Sequence, residues 1–337
     1  MSTPTKKESA PARPTMAMVA KMAGVSKITV SRALGGSALV RPELREKIVE
    51  IAREAGYRMN SAARSLRTRR SNTIAMVIER LIAGDRPISD PLLLAMIGGL
   101  LEILTPSGYA MLLTTSDHYL DHNAIDADGI IMLGQGLKGE RVKPIAALGL
   151  PMVIWGAVTA ANGLTVIGSD NRQGGRLAAG HLVERGRRKI LFLGDHRHPE
   201  VGERLEGVRD VVAATTAALV GSIACEFSRV AGASAVQQAL SQNMEFDAII
   251  AASDFIAAGA CDALIDRGMR VPDEVAITGF DDIAVATSNR PPLTTIRQDW
   301  SAAGRLLGEA ILQSVAGEEK GFSSTILPVE LIVRQSS

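Results

Sequence analysis

Ala20-Lys21-Met22-Ala23-Gly24-Val25-Ser26-Lys27-Ile28-Thr29-Val30-Ser31-Arg32-Ala33-Leu34 reads as two short helices joined by a tight turn. Val19 and Met22 give the first helix an apolar face, and Ala20 is small where two helices cross closely. Gly24 falls where the chain must turn sharply, and glycine reaches positive φ without steric cost. Ser26 is a good N-cap, because its hydroxyl accepts a backbone N–H of the next turn. Val30 and Leu34 repeat at i, i+4 and face inward. Between them the second helix presents Lys27, Ile28, Thr29, Ser31 and Arg32. Such groups donate to phosphates, bond base edges or touch a thymine methyl. The pattern is that of a helix-turn-helix whose second helix reads the major groove. An ordinary helical hairpin would give the same apolar spacing, so the charge distribution has to decide.

Residues 1–71 carry 15 Lys+Arg against 5 Asp+Glu, whereas the remainder carries 22 against 31. The whole-chain net charge of +1 hides this asymmetry. A compact basic head on an acidic body points to a polyanion-binding module attached to something else. A merely solvating basic tail accounts for Lys6, Lys7 and Arg13, but not for basic residues interleaved with a helical apolar pattern. With 337 residues, two or three domains are expected. Aromatic residues are 3% of the chain, so Ala, Leu, Val and Ile must build the core. Two cysteines, Cys225 and Cys261, exclude a disulfide scaffold and fit a reducing, cytoplasmic compartment. Residues 1–14 are polar and Pro-rich, without the apolar run of a signal peptide. No apolar stretch approaches the length of a membrane span.

Residues 1–14 read as a disordered tail. Thr15 can cap the first helix. Pro42 suits the first turn of a third helix reaching about Ala55, with Leu44, Ile48 and Ile51 as its buried stripe. Tyr57 follows, and then Asn60-Ser61-Ala62-Ala63-Arg64-Ser65-Leu66-Arg67-Thr68-Arg69-Arg70, which is helix-compatible but has little to bury. A helix this short is marginal alone in water, so it orders on a partner.

From Thr73 onward, apolar strands alternate with amphipathic helices. Strands are expected over Thr73–Ile78, Ala110–Leu113, Gly129–Leu133, Met152–Trp155, Lys189–Gly194, Ala248–Ala251 and Val275–Gly279. Helices are expected over Pro91–Leu104, Gly174–Glu184, Glu203–Ala217, Ala233–Leu240 and Phe255–Arg267. Continuous apolar strands separated by helices form parallel sheets covered on both faces. The strands are too many for one small sheet, so two doubly wound subdomains are expected. Ligands of such folds bind beyond the carboxyl ends of strands, which draws attention to Glu79, Ser116, Asp170, Asp195, Ser253, Asp254, Asp281 and Asp282.

The order of these features resembles the LacI/GalR family of bacterial transcription regulators from about Thr15 to Arg334. The head carries Val19-Ala20, Ala23-Gly24-Val25-Ser26, Thr29-Val30-Ser31-Arg32, Gly56-Tyr57 and Asn60. The body carries Asp128-Gly129-Ile130-Ile131, Asp170-Asn171, His181-Leu182 before Gly186, Arg204-Leu205-Glu206-Gly207 and Gly279-Phe280-Asp281-Asp282. Pro292-Leu293-Thr294-Thr295-Ile296-Arg297-Gln298-Asp299 completes the set.

The resemblance implies an all-α helix-turn-helix headpiece over 15–59 and a hinge helix over 60–71. It also implies a periplasmic-binding-protein-like α/β core over 72–337. The core would hold two Rossmann-like subdomains, about 72–168 with 298–326 and about 169–297 with 327–337. Crossings would fall near Ile167–Asn171, Thr294–Asp299 and Leu327–Leu331. The implied DNA-binding positions are Thr15, Ser26, Lys27, Ile28, Thr29, Ser31, Arg32, Tyr57, Asn60, Ala63, Arg64 and Leu66. Leu66 matches the leucine that members wedge into the minor groove, which bends the duplex. The implied effector positions are Arg204, Asp281, Ser253 with Asp254 after it, and Trp300. An acid that some sugar-binding members carry is Gly156 here, and Glu79 is expected to substitute. Met18, Arg41 and Met59 also depart from the family pattern: an acid, a Ser or Thr cap and a proline are usual there. The implied partners are a palindromic operator in double-stranded DNA, a small sugar-type effector and a second copy of the chain; neither a cofactor nor a membrane is implied. A purine or another corepressor is the alternative effector.

Other motifs fit weaker readings. Gly134-Gln135-Gly136-Leu137-Lys138-Gly139 matches G-x-G-x-x-G, but it lies several units into the fold and lacks the ribose-binding acid. It reads as a flexible loop, which argues against a Rossmann-type enzyme. His118 and His122 are spaced at i, i+4 without a third metal ligand, and His196-Arg197-His198 reads as a loop. Cys225 and Cys261 read as small buried residues. A solute-binding module would lack the basic headpiece.

Overall fold

The structure is a computed structural model that describes residues 14–57, 70–79, 91–121, 126–160, 163–317 and 323–337. Of the hinge helix expected over 60–71, residues 60–69, with Asn60, Ala63, Arg64 and Leu66, lie outside the described residues, as do Met59, His122 and the tail up to residue 13. The chain forms two compact units, residues 1–71 and 72–337.

In the first unit, α1 (Met16–Ala23), α2 (Lys27–Leu34) and α3 (Pro42–Glu54) enclose a small core. Thr15 caps α1, accepting from Met18 N at 3.4 Å, and Ser26 caps α2, accepting from Thr29 N at 3.1 Å. Gly24 makes the turn at φ 66°, as the sequence requires. Arg41 offers α3 no side-chain cap, and Pro42 starts that helix instead. Val19, Val30 and Ile48 are fully buried and meet at the centre, with Ala20, Ala33 and Ala52 allowing close approach. Met22 is half exposed rather than part of this core. The inward face of α1 runs through Met16, Val19, Ala20 and Ala23 instead. So few buried side chains leave little reserve. Ile48→Ala is expected to cost about 2–5 kcal/mol and to melt this unit well before the rest of the chain, seen as an added early transition in thermal unfolding.

The second unit holds two parallel sheets. β1 (Thr73–Ile78), β2 (Ala110–Thr115), β3 (Gly129–Leu133), β4 (Met152–Trp155), β5 (Thr165–Ser169) and β11 (Thr325–Leu327) form the first, in the order β11-β5-β4-β3-β1-β2. β6 (Lys189–Leu193), β7 (Ala218–Ile223), β8 (Ala248–Ala251) and β9 (Ala276–Thr278) form the second, in the order β7-β6-β8-β9. β10 (Thr295–Arg297) pairs antiparallel with β12 (Glu330–Ile332). The central strands are apolar at every position because helices cover both faces. α4 (Pro91–Leu104) and α12 (Trp300–Ala316) pack on one face of the first sheet, around Met76, Met96, Leu100 and Leu307. Around the second sheet, α7 (Asn171–Glu184) crosses α8 (Pro199–Ala213), and α9 (Arg229–Ser241) crosses α10 (Asp254–Asp266).

After β5 the chain leaves the first sheet for α7, returns through β10 to α12, and leaves again between β11 and β12. The strands expected from the sequence are present within a few residues. Thr165–Ser169 and Ala218–Ile223 are strands that the apolar pattern did not reveal, because both carry Gly or Ser inside.

Candidate functional site

The surface of α2 carries the first site. Lys27, Ile28 and Arg32 are exposed, and Ile28 is 64% so. Nothing in the fold of the headpiece requires an isoleucine there. With Lys27 and Arg32 it presents one apolar and two cationic tips along one short helix. Thr29 and Ser31 are half-buried, and Tyr57 packs against the headpiece core. The hydroxyls of Thr15 and Ser26 cap helices.

The second site is a cleft of about 460 Å3 in the second unit, beyond the carboxyl ends of both sheets. Glu79, Arg204, Asp281 and Trp300 all line it. Arg204 projects from α8 and is buried. Its Nε donates to Asn171 Oδ1 at 2.9 Å, its Nη1 donates to the Ala252 carbonyl, and its guanidinium carbon lies 3.6 Å from the Phe280 ring centroid. The side chain is thus held flat and in one orientation. Asp281 is 2% exposed and accepts from Gln298 Nε2 at 2.6 Å. It has φ 108° and the next residue, Asp282, has φ 56°. Two successive non-glycine residues in that region are strained. The Asp282 carboxylate, bonded to Arg297 at 2.7 Å and Arg334 at 2.6 Å, holds the bend.

Trp300 opens α12 with its ring centroid 5.2 Å from that of Trp155. These are the only two tryptophans in the chain, and both line the cleft. The Trp300 Nε1 and the Ser169 Oγ are buried without a partner among the described residues. Glu79 follows β1, and burial above all pushes its carboxyl up, against the opposing pull of His198 and of a Gly136 backbone N–H. Gly156 has no side chain because Gln135 occupies the space: a Cβ would come within 2.5 Å of Gln135 Oε1. That amide is pinned to Ala157, accepting from its N–H at 2.8 Å and donating to its carbonyl at 3.1 Å.

Ser253 and Asp254 do not line the cleft. Both are fully buried. Ser253 caps α10, accepting from Ile256 N at 3.3 Å. Asp254 lies beneath the cleft wall and accepts from Thr295 Oγ1 and from Ile283 N. Burial, then the charge of Asp281, raises its carboxyl well above the usual range. The folded state therefore holds a proton that the unfolded chain loses first. This contribution to stability is full below the unfolded pKa and is lost as pH rises through the elevated folded value. Asp254→Asn is expected to raise Tm more at pH 8 than at pH 5, as parallel thermal melts would show.

Other cleft residues were missed. Asn171 and Gln298 lie in stretches quoted for the resemblance, but no role followed from residue type alone. The glycine loop at 134–139 reads from sequence as a flexible loop. Yet Gly134 and Leu137 line the cleft, and the loop binds its opposite rim through Lys138 N–H to the Arg197 carbonyl at 2.8 Å. His198 also lines the cleft, its ring 5.9 Å from Phe227. Cys225 lies at the cleft too, half-buried rather than fully so, and burial pushes its thiol up to about 12. Cys261 is fully buried. His118 is exposed on a short helical turn. No cluster of three or more metal-ligating side chains occurs among the described residues.

Known proteins share both units. Residues 15–60 match the model for bacterial regulatory proteins of the lacI family, and residues 179–337 match a periplasmic binding protein-like domain. The HTH-type transcriptional regulator CelR of Thermobifida fusca is 30% identical over 96% of this chain and 98% of its own length. The ribose operon repressor of Haemophilus influenzae is 29% identical, again over 96% of this chain and 98% of its own. A solved complex of CelR with cellobiose is 28% identical, with a TM-score of 0.70 over 96% of this chain and all of that one. The lac repressor dimer bound to operator and an anti-inducer, at 23% identity, covers 96% of this chain and 99% of its own and matches in fold with a TM-score of 0.82. A helix-turn-helix of this sequence, a two-sheet core with a cleft at its strand ends, and near full-length identity at this level converge: the chain belongs to the lacI family of bacterial regulatory proteins, which are DNA-binding transcriptional regulators and not enzymes.

Proposed function

We infer that this chain is a cytoplasmic repressor of sugar-utilisation genes, released from a palindromic operator by a sugar-type effector bound in the core over 72–337. The observation that carries this reading is the cleft. Both tryptophans of an aromatic-poor chain line it together with Arg204 and Asp281. Indole faces cover the apolar side of a pyranose, while the charged groups bond its hydroxyls. The relatives include a regulator solved with cellobiose and a ribose operon repressor, which supports the same class. Lys27, Ile28 and Arg32 read base edges in the major groove, where a bidentate Arg–guanine pair discriminates by about 1–3 kcal/mol. A homodimer presents two such helices to the two half-sites. Leu94 and Leu101, 52% and 40% exposed on α4, are apolar surface suited to that contact. The effector favours one arrangement of the core over the other, and repression falls by its difference in affinity for the two.

Selection from random duplex DNA, repeated with a panel of sugars, tests this. A palindromic consensus weakened by one sugar is the expected result. A consensus indifferent to every sugar would move the effector to purines or another corepressor, and no enrichment at all would overturn the DNA role. Leu66→Ala is expected to weaken operator binding about tenfold, since it removes an apolar wedge from a base step, without changing effector titration. Unchanged operator affinity would remove the wedge assignment.

A further inference from the structure

The cleft has a charge imbalance that a neutral polyol leaves uncorrected. Six carboxylates line it against three guanidinium groups. The arginines are engaged: Arg197 pairs with Asp195 at 2.6 Å, Arg141 with Asp117 at 3.0 Å, and Arg204 bonds Asn171. Glu79 and Glu200 belong to opposite sides, Glu79 following β1 of the first sheet and Glu200 in the first turn of α8 beside the second. Glu200 lies at the N-terminal turn of α8, and its Oε2 is buried without a partner among the described residues. Burial disfavours the ionised Glu79 carboxyl and the charge of Glu200 adds to this, against the opposing pull of His198, a Gly136 backbone N–H and Arg141. Two carboxylates facing one partly dry cleft repel each other. Hydroxyl donors satisfy their oxygens but leave both charges in place.

Resting on the reading of the cleft as a sugar site, we propose that the effector is an amino sugar whose ammonium group lies between Glu79 and Glu200. The pyranose face rests on Trp300, and the unpartnered Ser169 Oγ bonds one of its oxygens. Ser169 is itself more than nine-tenths buried, so its free hydroxyl points to a polar ligand rather than to bulk water. The cation neutralises the repulsion between the two sides and draws them together. Sugar acids and sugar phosphates are disfavoured, because carboxylates outnumber guanidinium groups two to one in the lining.

The test uses the full-length protein and its own fluorescence, since both tryptophans line the cleft. Glucosamine, N-acetylglucosamine and glucuronate, and the dimers of the first two, form a matched series of one cationic, one neutral and one anionic type. They are titrated at about pH 6, below the ordinary range of such an amine. The amine form is expected to bind at least about tenfold more tightly than the acetylated form, with no response to glucuronate. Glu79→Gln and Glu200→Gln, made separately, are each expected to cut that ratio by about tenfold. Equal affinity for the amine and acetylated forms, or binding of glucuronate, overturns the ammonium site while the sugar reading stands. No response to any of these or to a wider panel of neutral sugars removes both. A ratio unchanged in both variants moves the ammonium away from this pair and overturns the assignment.

Discussion

Asp281→Ala is expected to lower effector affinity by roughly ten- to a hundredfold and to abolish release from the operator, the loss of a hydrogen bond to a charged group being worth about 1.5–3 kcal/mol. The carboxylate has a fixed direction. Gln298 Nε2 donates to it at 2.6 Å, and its own N–H donates to the Ile296 carbonyl at 2.8 Å. The strained bend is held one residue later by Arg297 and Arg334 on Asp282, so alanine at 281 removes the acceptor without releasing the turn. Alanine also tolerates φ 108° poorly, which would confuse a loss of contact with a loss of geometry. Asp281→Asn separates the two. Asparagine accepts positive φ more readily and keeps one oxygen, so it should keep the fold and recover part of the affinity. Effector titration by tryptophan fluorescence, with thermal melts beside it, reads both. An alanine variant that melts like the parent and still answers the effector would place the pocket elsewhere.

How far these features were legible depends on which property carries them. The headpiece was open to reading because local rules dominate it: Gly24 at a positive φ, Ser26 as a cap and Val30 facing inward each follow from a few neighbouring residues. Met22 failed because α1 is only eight residues long. On so short a helix one apolar residue can point outward, and the real face runs through Met16 and Ala23. In the core, strand ends located the cleft, but not which polar residues turn into it. Ser253 and Asp254 follow β8 and look like ligand groups, yet the start of α10 turns them inward to cap and to bond Thr295. Asn171 and Gln298 were the reverse case. Their importance lies in holding Arg204 and Asp281, which are distant in sequence. The loop at 134–139 shows the same limit. Its glycines suggest freedom, whereas its backbone is tied across the cleft rim through Lys138.

Gly175 offers the sharpest link between packing and the site. At the crossing of α7 and α8, a Cβ on Gly175 would come within 2.0 Å of the Arg204 carbonyl oxygen, and a Cβ on Gly207 within 2.0 Å of that of Arg172. Each glycine faces the other helix's backbone, which no rotamer change can move aside. Gly175→Ala is therefore expected to force the helices apart, costing about 3 kcal/mol or more and lowering Tm by roughly 5–10 °C. The residue displaced is Arg204 itself. Its bond to Asn171 and its place over Phe280 would be lost, so effector affinity should fall further than stability alone explains. Gly180, on the same helix with nothing within 4 Å of a Cβ, gives the control. There alanine should stabilise by about 0.5–1 kcal/mol, from helix propensity alone. If Gly175→Ala melts like Gly180→Ala and binds effector like the parent, the close crossing of α7 and α8 is not what positions Arg204.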